Sequence, residues 1–189
     1  MGGGAGVIPK AEDDQKVIDA LAAAGADALP ALIKGLKFPP GFAAKRASVL
    51  TALQKIADKN AAPFVAAALR DPVFGTATYA AAALETCGDA ECLPALRRFE
   101  DRLRSAAMQK QLPASIPSAD PLLAIAARTR LMLGESRAKG DLINLLLSDA
   151  ENARITAIDA LKAKFGDDRG FDPKAEPAAR HAAAMRWLQ

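Results

Sequence analysis

The stretch Ala81–Leu96, AAALETCGDAECLPAL, decides the fold. An alanine-rich run closes on Ala83-Leu84. A turn follows at Gly88-Asp89, and a second run opens with Pro94. Glycine suits the left-handed position after a helix. Aspartate caps the next helix, and a first-turn proline costs nothing because its missing N–H would be unsatisfied there anyway. The stretch therefore reads as the hinge of a helical hairpin.

The same hinge recurs along the chain. Runs ending VIDAL, VLTAL, AAAAL, ARTRL and AIDAL place Leu21, Leu53, Leu84, Leu131 and Leu161 at spacings of 32, 31, 47 and 30 residues. The second run repeats independently: ALPAL at Ala28–Leu32, AAPFV at Ala61–Val65 and CLPAL at Cys92–Leu96 put Pro30, Pro63 and Pro94 at spacings of 33 and 31. Two markers with one period make a repeat array. The longer spacing of 47 implies an irregular insertion at about 105–119. Its first part extends a helix, and Pro113 and Pro117 then break it, so 111–118 is expected to be exposed and non-helical.

Hydrophobic residues make up 51% of the 189 residues and aromatics only 5%. Much of the apolar fraction is alanine, so a core must come from many close helix contacts rather than a few large side chains. The net charge of +3 is too small to point to nucleic acid, and no apolar run is long enough to span a membrane. MGGGAG at the start has neither a basic nor an apolar region, so 1–10 reads as a flexible tail rather than a signal peptide.

LLLSDAENARITAIDALKAKFG, Leu145–Gly166, resembles a HEAT repeat of the bacterial phycobilisome-lyase-like type. The matching residues are Asp149, Ala153-Arg154, Ala157 and Ala160-Leu161. PGFAAKRASVLTAL keeps Arg46, Ala52 and Leu53, whereas LRDPVFGTATYAAAAL keeps Asp71 and Ala83-Leu84 but has Thr76-Ala77 where the arginine would stand. The resemblance runs from about Val17 to Phe165. The tail is similar to a C-terminal element of some bacterial HEAT-repeat proteins, through Phe171-Asp172-Pro173, Arg180 and Trp187. A helix at about 175–188 would then cap the stack, as repeat arrays require. The resemblance implies an all-α, right-handed superhelix of about five antiparallel hairpins, a single repeat domain over 11–189. It says little about function, because such solenoids serve many partners.

Cys87 and Cys92 fall on the hinge itself. Two readings stand open: small buried thiols that pack the hairpin, or a disulfide, which would favour an exported protein over a cytoplasmic one. Four residues separate the pair, which excludes a C-x-x-C redox couple, and a metal site needs about four ligands where the chain has one histidine, His181. GDDRGFD, Gly166–Asp172, lacks the register and closing glutamate of a calcium loop and reads as a turn with capping aspartates. In LRRFEDRLR, Leu96–Arg104, Arg97 with Asp101 and Glu100 with Arg104 fit a salt-laced exposed face. No catalytic, cofactor or metal constellation is legible.

The expected function is a non-catalytic protein-interaction scaffold. The lyase-like resemblance offers an accessory enzyme subunit as one alternative, since some relatives help attach bilin to cysteines. A nucleic-acid binder, as in HEAT-like DNA glycosylases, is the other. Counting four and seven residues from the first-turn prolines selects Lys34, Lys37, Arg70 and Arg98. Those offsets share a helix face. The four are expected to form a basic ridge for an acidic peptide or protein surface, interrupted by Ala67 and Asp101 and ending before Leu145 and Ser148.

Overall fold

Alanine and leucine at helical spacing, cut by glycine, proline and aspartate, can satisfy their backbone only as a series of short helices. The computed structural model describes residues 11–188, and among them every regular element is helical. The odd-numbered helices are α1 (Ala11–Ala23), α3 (Ala43–Ile56), α5 (Phe74–Cys87), α7 (Asp120–Met132) and α9 (Glu151–Phe165). Between and after them come α2 (Leu29–Gly35), α4 (Ala62–Ala68), α6 (Leu93–Met108), α8 (Ala138–Leu145) and α10 (Pro177–Met185). The N-terminal tail proposed for 1–10 lies outside the described residues.

The odd helices pack in chain order: α1 on α3, α3 on α5, α5 on α7, α7 on α9. Each even helix from α2 to α8 packs on the odd helix that follows it. Alanine makes this close stacking possible: Ala52, Ala77, Ala80, Ala124 and Ala157 are fully buried, and small side chains at a crossing let helix axes approach. Hydroxyls tie successive odd helices together. Thr86 Oγ1 donates to Gln54 O at 2.8 Å, and Thr129 Oγ1 to Ala81 O at 2.9 Å.

Leu53, Leu84, Leu131 and Leu161 are all buried at equivalent places on the odd helices. Leu21 is only half-buried, packed against the same core. Pro30, Pro63 and Pro94 stand in the first turns of α2, α4 and α6. The core continues into a second cluster around Leu142, Leu161, Phe171, Ala184 and Trp187. Trp187 sits on a 3₁₀ turn after α10, its ring 5.9 Å from that of Phe165.

Two arginines brace the turns between repeats. Arg46 holds Asp71 through Nε and Nη2 at 2.6 and 3.0 Å and donates to the carbonyls of Phe38 and Pro39. Arg154 donates to Ser148 O, Asp149 O and Pro173 O at 2.8, 2.9 and 2.7 Å. Each stands seven residues before its repeat leucine, where α5 and α7 have Ala77 and Ala124. The arginine thus satisfies carbonyls of the turn preceding its own helix and a group one turn further along the chain.

The insertion behaves as the spacing predicts in one respect and not in another. Helix α6 has 16 residues against 7 in α2 and α4, and 111–118 is non-helical. Leu112, Ile116 and Ser118 are nevertheless half-buried, and Leu112 packs on the core. Apolar side chains in a loop this close to a core bury what they can.

Gly88 corrects a second expectation. Its φ of −81° is extended rather than left-handed. Glycine is needed there because a Cβ would lie 2.4 Å from Leu84 O.

Candidate binding site

Helices α4 and α6 each open on a proline and run side by side in the second layer. On α6, Arg98 and Arg102 are one turn apart and so share a face, with Phe99 beside them. Arg70 follows the last turn of α4. These residues border one cleft of about 170 Å³, with Arg70, Arg98 and Arg102 around an apolar floor that includes Leu69 and Phe99. No acidic residue lines it.

The structure thus brings Arg70 and Arg98 of the expected ridge together. It places Lys34 in the last turn of α2 and Lys37 just beyond, both exposed, and neither borders this cleft. Ala67 and Asp101 are exposed at the intervening offsets. At the α8 end Leu145 is half-buried and Ser148 buried, with the Ser148 hydroxyl donating to Asp120 Oδ2 at 2.5 Å and accepting from Ala150 N.

Arg102 is the member that sequence reasoning missed. It stands eight residues past Pro94, one turn beyond Arg98, and that i,i+4 spacing was its only sequence signal. Its guanidinium lies 4.9 Å from the Phe74 ring centroid and 5.6 Å from that of Phe99. Nε and Nη2 are buried without a hydrogen-bond acceptor. Burial pushes its pKa down from the ordinary arginine value, and the nearby Asp71 only partly opposes this. Asp71 is already engaged by Arg46. Among the described residues none of Arg70, Arg98 and Arg102 forms an ion pair. Three guanidinium groups without an ion-pair partner over an apolar floor have the charge and the donors that an oxyanion could use.

The other candidates resolve into structure. Cys87 and Cys92 are both buried and both free thiols. Cys87 Sγ donates to Ala83 O at 3.2 Å, and Cys92 Sγ lies 3.7 Å from Asp89 Oδ1. Burial pushes the Cys87 thiol up to about 11 and raises Cys92 as well, so little reactive thiolate exists near neutral pH. Asp89 caps the turn by accepting from Glu91 N. In the Gly166–Asp172 turn, Asp167 and Asp168 accept from Arg169 N and Gly170 N at 2.8 and 2.9 Å. His181 is exposed on α10.

Among the described residues no cluster of three or more histidine, cysteine, aspartate or glutamate side chains could hold a metal, and no helix is long and apolar enough to cross a membrane. Compared with known proteins, the chain has no significant match to a family model, a curated protein or a solved structure.

Proposed function

We propose that this chain is a HEAT-like solenoid that acts as a non-catalytic scaffold, receiving an acidic protein segment along its second helices. The sequential packing of α1, α3, α5, α7 and α9 supports the solenoid reading. The observation that carries the functional reading is the cleft between α4 and α6, where three arginines that form no ion pair among the described residues converge. Lys34 and Lys37 lie earlier on the second-helix series, exposed at the end of α2.

Fluorescence anisotropy with labelled hexaglutamate and hexaglutamine peptides tests this reading. Hexaglutamate is expected to bind, with affinity that falls as salt rises. Charge reversal at Arg70 and Arg98 together should abolish binding, and reversal at Lys34 with Arg98 should weaken it. Equal binding of the two peptides, or hexaglutamate binding that ignores charge reversal, would contradict the reading.

A further inference from the structure

Two arginines of this protein show how it holds a carboxylate internally. Arg46 grips both oxygens of Asp71 through Nε and Nη2, and Arg130 grips Glu135 through the same two nitrogens, each at 2.9 Å. This side-on fork matches the two oxygens of a carboxylate. Arg102 has the same edge, Nε and Nη2, buried and without an acceptor. Arg128 and Arg180 also leave Nε unpaired, but each uses another nitrogen, toward Glu85 and Ser148 O. Arg102 uses none.

We infer that the cleft between α4 and α6 takes a single carboxylate of an acidic peptide, gripped by the Arg102 fork and flanked by Arg70 and Arg98. The inference rests on the acidic-partner reading above and names its anchor. Nε and Nη2 are closed to water, so the carboxylate reaches them when the guanidinium turns from the Phe74 and Phe99 rings toward the cleft. A buried donor left without an acceptor carries a desolvation penalty, and pairing it removes that penalty. Both internal forks hold carboxylates, and the ligand is assigned by that match in geometry.

The test is nuclear magnetic resonance of the arginine Nε–H groups of the full chain during titration with acetylated hexaglutamate amide. The Arg102 signal is expected to shift on binding, while those of Arg46 and Arg130 stay in place and report an intact fold. Arg102→Lys keeps the charge but loses the fork, and should weaken the peptide about tenfold. If Arg70 and Arg98 respond while Arg102 stays still, and Arg102→Lys binds as wild type does, the anchor is overturned and the acidic-partner reading survives. If no arginine responds and no binding occurs, both fall. A phosphoserine peptide that moves Arg102 more strongly and binds more tightly would overturn the assignment to a carboxylate. An oligonucleotide of equal charge that displaces hexaglutamate from Arg102 would overturn the assignment to a peptide.

Discussion

Helix α6 carries arginines on two sides, and the two sides differ in one respect. Toward α7 and α8 every guanidinium meets an acid. Arg97 reaches Glu135 at 3.0 Å, and Arg104 lies 3.6 Å from Glu100 and 3.5 Å from Asp141. Glu100, itself buried, accepts from Arg130 at 2.6 Å, and Arg130 also holds Glu135 and Asp141. Toward α4, Arg98 and Arg102 form no ion pair among the described residues, and the nearby Asp71 is held by Arg46. The first side joins three helices, α6, α7 and α8. On the second side the arginines form no ion pair, so the same residue type is structural on one side of the helix and, on the reading proposed above, serves a partner on the other.

If that division holds, the largest effect comes from the paired side. Arg130→Met leaves Glu100, Glu135 and Asp141 without their shared cation and should cost about 3–5 kcal/mol, read from urea denaturation. A loss below about 1 kcal/mol, the range of exposed pairs, would place this network with ordinary surface charges.

Glu135→Gln comes next, at about 1.5–3 kcal/mol near neutral pH, the range for hydrogen bonds to charged groups. Its sign with pH is set by the wild type. Hydrogen bonding to Arg130 holds the Glu135 carboxyl below its ordinary value of 4.5. Its contribution is therefore present above 4.5 and lost as pH falls through the depressed folded value. Glu135→Gln should flatten that acid-side loss. Glu100 has the opposite sign, because burial outweighs Arg130 and raises its carboxyl above 4.5. Wild type should accordingly lose stability relative to Glu100→Gln as pH rises from 4.5 through the elevated folded value. Denaturation curves of the two variants over acidic pH should diverge from wild type in opposite directions.

The unpaired side should give small stability changes with large binding changes. Arg102→Met removes a half-buried charge that forms no ion pair and keeps an adaptable side chain against Phe74 and Phe99, so stability should stay within about 1 kcal/mol of wild type while hexaglutamate binding is lost. A large destabilisation would make Arg102 a packing residue. Arg70→Gln and Arg98→Gln, both exposed, should each change stability by less than about 0.5 kcal/mol.

Much of this architecture was readable in the residues, because repetition shows in a linear sequence. Leucines at one period and prolines at the same period place the odd and even helices, and the longer spacing marks the extended α6. Leu21 is less buried than its counterparts: among the described residues α1 packs chiefly on α3, whereas α3, α5 and α7 each lie between two odd helices. What the sequence hides is contact between distant residues. Arg104 beside Glu100 follows from i,i+4 spacing, but Arg130 reaches Glu100 from 30 residues away across the insertion. Gly88 looks like a left-handed cap, yet an approaching carbonyl dictates it. Arg98 falls on the proline count and Arg102 does not, and only the placement of Phe74 over α6 reveals that its fork is buried and unpaired.

The function proposed for this protein depends on an acidic segment docking where α4 meets α6. Hydrogen–deuterium exchange of the whole chain, with and without saturating hexaglutamate at low salt, tests it most directly. Exchange is expected to slow only at 62–70 and 93–102, with 138–148 unchanged. Protection centred on 138–148, or none at 62–70 and 93–102 while the peptide is bound, would contradict it.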